Sequence, residues 1–104
     1  MESRGLLRIE SGFYDGLEWP LDRPSIVLGR GRNADFVLHE STISRAHARV
    51  SYEEGQLYVQ DLGSTNGVLV NGVREDRAQL AAGDELRMGR LVIRVLLSKN
   101  GGGA

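Results

Sequence analysis

Cysteine is absent from this chain. That removes disulfides and thiolate metal sites, and it fits a reducing compartment. No apolar run approaches the ~20 residues that a helix needs to span a bilayer. Met1-Glu2-Ser3-Arg4 lacks the apolar stretch of a secretory signal. Together these absences predict a cytoplasmic protein with no membrane partner. Lysine is nearly missing, since Lys99 stands alone against twelve arginines. A basic surplus is missing too: 13 basic residues face 14 acidic ones, for a net charge of -1. Nucleic-acid binders draw much of their affinity from phosphate contacts and usually carry such a surplus, so no nucleic acid is expected. His39 has no second ligand in sight, so neither a metal site nor a cofactor is expected.

What is present is mostly strand. With 104 residues the chain makes one domain, large enough for a core without staples. Leu7 and Ile9 alternate with Arg8 and Glu10, and Leu57 and Val59 with Tyr58 and Gln60. Ala46, Ala48, Val50 and Tyr52 continue the period of two, and the run from Leu91 to Leu97 closes it. Ile26-Val27-Leu28 reads as a strand covered on both faces. The best helical candidate, Arg74 to Leu80, is short and lies between turn signals. Fourteen glycines and repeated pairs such as Asn66-Gly67 and Asn71-Gly72 mark sharp reversals. About ten short strands with turns this frequent predict an all-β sandwich. Residues 1–98 form the expected domain, and 99–104 a flexible Gly-rich tail or linker.

Three loop segments concentrate groups that bind anions: Gly29-Arg30, Ser44-Arg45-Ala46-His47 and Gly63-Ser64-Thr65-Asn66-Gly67. Arginine's planar fork matches phosphate oxygens two at a time, although codon bias alone gives the same scarcity of lysine. Gly29-Arg30-Gly31-Arg32-Asn33-Ala34 can be forced onto a dinucleotide fingerprint, but Asp35-Phe36-Val37-Leu38 follows as strand where a helix is required. Ser44, His47 and Asp61 make a poor nucleophilic triad, because Ser and His three apart at the start of one strand point in opposed directions. For His47 the sequence favours a structural role, bonding the backbone of neighbouring loops. Arg32 and Arg49 read as solvated surface arginines that would at most extend a positive rim.

In this order and spacing, Gly29-Arg30, Ser44-Arg45-x-His47, Asp61-Leu62-x-Ser64-Thr65-Asn66-Gly67 and Val70-Asn71-Gly72 resemble the forkhead-associated (FHA) domain. The likeness runs over roughly residues 5 to 98. It implies a β-sandwich of about eleven strands with ligand loops at one end and no enzymatic activity. It implies phosphothreonine-peptide binding in signalling downstream of a Ser/Thr protein kinase, with a threonine-phosphorylated protein or peptide as partner. By the same likeness Arg30, Ser44, Arg45, Ser64, Thr65 and Asn66 bind phosphopeptide, and Gly29, His47 and Gly67 shape the loops. Thr42 stands where some members carry a basic residue that selects an acidic peptide side chain, so that route is absent. Thr42 and Thr65 are the only threonines, and both lie in these loops. Capture of a phosphothreonine from the same protein therefore needs sequence outside these residues. FHA modules occur as monomers and as weak dimers, and the competing reading is a phosphorylation-independent scaffold or oligomerisation domain that uses a sheet face.

Overall fold

The structure, a computed structural model, describes residues 5–97. The tail expected over 99–104 lies outside the described residues. Eleven strands run in the order β1 (Gly5–Ile9), β2 (Glu18–Pro20), β3 (Ser25–Gly29), β4 (Phe36–Val37), β5 (Ala48–Glu53) and β6 (Gln56–Asp61). They continue as β7 (Val68–Val70), β8 (Val73–Arg74), β9 (Arg77–Leu80), β10 (Glu85–Met88) and β11 (Leu91–Leu97). Among the described residues the only helical element is a single 3₁₀ turn at Gly12–Tyr14. One sheet has the order β2-β1-β11-β10-β7-β8 and the other β4-β3-β5-β6-β9. All pairings are antiparallel except β3 with β4, which is parallel.

The two sheets bury their inward alternates against each other. Leu7, Ile9, Leu86, Met88, Ile93 and Val95 from the first sheet meet Ile26, Leu28, Ala48, Val50, Leu57 and Val59 from the second. Register follows from this pattern, because a slip by one residue would turn each apolar set outward. Trp19 on β2 stacks on Phe36 on β4 with ring centroids 4.7 Å apart, which closes one open side of the sandwich.

Two local expectations are corrected. Arg74 to Leu80 is not helical: β8 ends at Arg74, and β9 pairs with β6 through Leu57–Leu80 and Val59–Ala78. Long-range pairing that buries Leu80 outweighs a weak local preference. Nor is β3 covered evenly on both faces, because Ile26 and Leu28 are buried while Val27 is only half-buried.

The turns sort to two ends. Glu54-Gly55 (φ 54° and 81°) and Asn71-Gly72 (φ 51° and 85°) have the paired positive φ of tight hairpins. Both close hairpins at the end away from the three anion-binding segments, which cluster at the other end. Ile93 is fully buried at the centre of β11. Ile93→Ala should therefore cost about 2–5 kcal/mol of unfolding free energy in a urea titration. A loss below about 1 kcal/mol would mean that the sheets repack freely and that the core assigned to them is wrong.

Candidate functional site

Backbone hydrogen bonds join the β3–β4 and β4–β5 loops beyond the end of the β3–β5 ladder. His47 N–H donates to the Leu28 carbonyl at 2.9 Å, Arg30 N–H to the Ser44 carbonyl at 3.0 Å, and Gly31 N–H to the Arg45 carbonyl at 3.1 Å. This zipper needs glycine at 29, since a Cβ there would stand 2.0 Å from the Arg45 carbonyl oxygen. The β6–β7 loop is laced to the same place. Thr65 N–H donates to Ser44 Oγ at 3.1 Å, and Asn66 Nδ2 donates to the Thr42 carbonyl at 2.7 Å. Arg30, Ser44, Thr65 and Asn66 thus share one end of the molecule.

His47 lies beneath them and is fully buried. Its Nδ1 accepts the Ser44 N–H at 3.0 Å, so the proton sits on Nε2, which donates to the Gly67 carbonyl at 2.8 Å. The imidazole therefore bridges two loops 20 residues apart in sequence. These bonds also leave Ser44, His47 and Asp61 unconnected as a proton relay. Both ring nitrogens face backbone, Ser44 Oγ accepts from Thr65, and the Asp61 carboxylate receives the Ser64 N–H at 3.0 Å.

The exposed tips keep unused capacity. Arg30 Nε donates to the Ile43 carbonyl at 2.9 Å, which fixes the plane of the guanidinium. Among the described residues its terminal nitrogens have no partner. The Ser44 hydroxyl proton, the Thr65 hydroxyl and the Asn66 carboxamide oxygen are likewise unclaimed among the described residues. Arg45 is exposed, with its guanidinium unpaired among them. Ser64 Oγ accepts the Gly67 N–H at 2.9 Å and its backbone N–H donates to the Asp61 carboxylate at 3.0 Å, so Ser64 also helps to hold its own loop.

Two carboxylates stiffen this end from below. Burial alone pushes Asp61 up, but hydrogen bonding from Ser64, with the charge of Arg74, outweighs it and holds the carboxyl below the usual aspartate range. Glu40 is held low chiefly by the Thr42 hydroxyl at 2.7 Å and backbone N–H at 3.1 Å, against a burial penalty and with help from Arg90. Thr42 Oγ1 also accepts the Arg90 N–H at 2.8 Å, which ties the β10–β11 turn into the cluster.

Sequence reasoning missed Arg74. Its guanidinium lies against Gly67, where a Cβ would come within 2.6 Å of Nε, and Gly67 sits at φ 78°. The only hint was an arginine just after the Asn71-Gly72 turn.

A family model described as FHA domain matches residues 26–89. The glycogen accumulation regulator GarA of Mycolicibacterium smegmatis is 40% identical over 85 residues, covering 82% of this chain and 54% of that protein. An oxoglutarate dehydrogenase inhibitor of Corynebacterium diphtheriae is 36% identical over 86 residues, covering 83% of this chain and 60% of that protein. The chain thus spans little more than half the length of these relatives. A structure solved in a structural and functional analysis of phosphothreonine-dependent FHA domain interactions superposes with a TM-score of 0.84 at 32% identity. It covers 92% of this chain and 98% of its own.

Removing the imidazole strands two backbone groups. His47→Ala should lower stability by about 1–3 kcal/mol for each orphaned group and speed amide exchange at Ser44 and Thr65. Unchanged exchange at both amides would show that the bridge does not hold the loops. The two lowered carboxylates give stability that is complete above the ordinary carboxylate pKa of about 4 and is lost as pH falls through their lower folded values. Acid unfolding followed below about pH 4 should be less steep in Asp61→Asn than in the wild type; equal slopes would remove Asp61 from that role.

Proposed function

The chain belongs to the FHA domain family, and we propose that it is a phosphothreonine-peptide-binding module in Ser/Thr-kinase-dependent signalling. One observation carries this reading. Arg30 is pinned through Nε to the Ile43 carbonyl and presents terminal nitrogens without a partner among the described residues, at the loop junction that also holds Ser44 and Thr65. A fixed guanidinium beside free hydroxyls is pre-organised for a dianionic phosphate, because the ordering cost is met before the ligand arrives.

Roles follow from what each group has left to give. Arg30 donates to phosphate oxygens, and the Ser44 and Thr65 hydroxyls add to the same group. Arg45 supplies further positive charge. Asn66, anchored by its nitrogen to Thr42, offers its oxygen to a peptide N–H beside the phosphoresidue. Gly29, His47, Ser64 and Gly67 shape the loops. No step in this reading makes or breaks a covalent bond, so the module is a reader and not an enzyme. The described residues 5–97 carry the module, which works in the cytoplasm, where protein kinases find ATP.

The relatives support a regulatory role by name, one as a regulator of glycogen accumulation and the other as an oxoglutarate dehydrogenase inhibitor. The solved relative's phosphothreonine-dependent interactions support the ligand class.

Arg30→Ala and Ser44→Ala should each remove charge-assisted bonds worth roughly 1.5–3 kcal/mol. Calorimetry with a phosphothreonine peptide should then show affinity lower by about ten- to a hundredfold with the fold intact. Unaltered affinity in Arg30→Ala would falsify its assigned role. Equal capture of a partner before and after phosphatase treatment would point instead to a phosphorylation-independent scaffold.

A further inference from the structure

Asparagine followed by glycine is open to a spontaneous reaction, because glycine has no side chain to shield its amide nitrogen. Once that nitrogen loses its proton, it attacks the carboxamide carbon of the asparagine. Ammonia leaves and a cyclic succinimide forms. Water then opens the ring at either carbonyl, which gives aspartate or isoaspartate. Asn66-Gly67 and Asn71-Gly72 are both such pairs, and both asparagines are exposed. Asn100-Gly101 lies outside the described residues.

The fold guards the two pairs at opposite ends of the reaction. At 71 the carboxamide is held. Asn71 Oδ1 accepts the Glu85 N–H at 3.0 Å, and Nδ2 donates to the Asp84 carboxylate at 3.0 Å, the second bond being charge-assisted. Both arms are fixed, so the carbon between them is kept from turning toward Gly72. At 66 only Nδ2 is held, by the Thr42 carbonyl at 2.7 Å, and Oδ1 has no partner among the described residues. Here the attacking nitrogen is guarded instead. Gly67 is buried, and its N–H donates to Ser64 Oγ at 2.9 Å. While that bond stands, base does not reach the proton whose loss starts the reaction.

We propose that Asn66 is a spontaneous modification site whose conversion to aspartate or isoaspartate switches off the phosphopeptide loops, and that Ser64 sets the rate. The chemistry stands on the hydrogen bonds above; the loss of binding rests on the phosphothreonine reading. Either product deletes the Nδ2 donor and turns a carboxylate toward the Thr42 carbonyl. The new charge stands next to Thr65, where it repels a dianionic ligand. Isoaspartate also lengthens the main chain by a methylene and displaces Gly67. That residue has little room, since its carbonyl accepts from His47 and a Cβ on it would meet the Arg74 guanidinium. The step expels ammonia and does not run backward in water, so it marks the age of the module and not the state of a signal.

The test incubates the whole chain at mildly alkaline pH, in buffer and in urea. Fragment masses then report the exchange of NH2 for OH at residue 66 or 71. In urea both pairs should convert at similar rates. In buffer both should slow, with Asn66 the faster. Ser64→Ala removes one hydrogen bond, so conversion at 66 and amide exchange at Gly67 should each speed up by about two- to tenfold, with 71 unmoved. Ser64→Thr, which keeps the hydroxyl, should stay slow. Aged protein should lose capture of a phosphothreonine peptide library in proportion to conversion at 66. Fresh Asn66→Asp should bind the captured peptides about tenfold more weakly than wild type, or worse. Equal conversion at 66 in wild type and Ser64→Ala, or faster conversion at 71 than at 66 in buffer, overturns the proposal. Full binding by converted protein overturns the switch. Failure of fresh wild type to capture any phosphothreonine peptide overturns the ligand reading, and the rates at 66 still decide the modification site.

Discussion

A buried imidazole holds the recognition end of this protein together. His47 joins the Ser44 N–H on one side to the Gly67 carbonyl on the other, with no solvent exposure to weaken either bond. Inside a low-dielectric interior such bonds are stronger than in water, and leaving either backbone group unpaired would be expensive. The exposed residues depend on this bridge. Ser44 is placed to meet the Thr65 N–H, Asn66 reaches the Thr42 carbonyl, and Gly67 lies under Arg74.

Around that bridge the fold separates two tasks. The sandwich supplies rigidity through strands that bury every second residue, and the loops supply chemistry through groups that the strands do not use. Backbone hydrogen bonds run past the ends of β3 and β5 into the loops, so the Arg30 backbone is held in place while its terminal guanidinium nitrogens keep no partner among the described residues. Low carboxyl pKa values at Asp61 and Glu40 reflect the same arrangement, because hydroxyl and N–H donors in neighbouring loop turns converge on them.

Much of this was visible before folding. Alternation in β1, β5, β6 and β11 is a direct print of the pleat, since inward and outward side chains feel different solvents. The order of Gly29-Arg30, Ser44-Arg45-x-His47 and Ser64-Thr65-Asn66-Gly67 was enough to group the loops. Other features were harder. Arg74 to Leu80 has no strong local preference; Arg77 to Leu80 is strand through its partner β6, and Arg74 through Leu69 on β7. Asn66-Gly67 and Asn71-Gly72 look identical as dipeptides, yet only the second has positive φ at both residues. Asn66 is drawn instead to a carbonyl 24 residues away. Ser64 and Thr65 look alike as loop hydroxyls, but Ser64 Oγ accepts the Gly67 N–H while the Thr65 hydroxyl has no partner among the described residues.

The amino-acid sequence by itself determined the strand pattern, the family likeness and the set of residues able to grip an anion. Those properties are local: a period of two, a turn residue or a guanidinium is present in the chain before any contact forms. Tertiary structure alone decided which of those groups remain free. Whether a hydroxyl, carboxamide or arginine faces solvent or is consumed by a neighbour depends on backbone atoms brought from distant positions. Hydrogen-bonding capacity is finite, and only the folded arrangement distributes it.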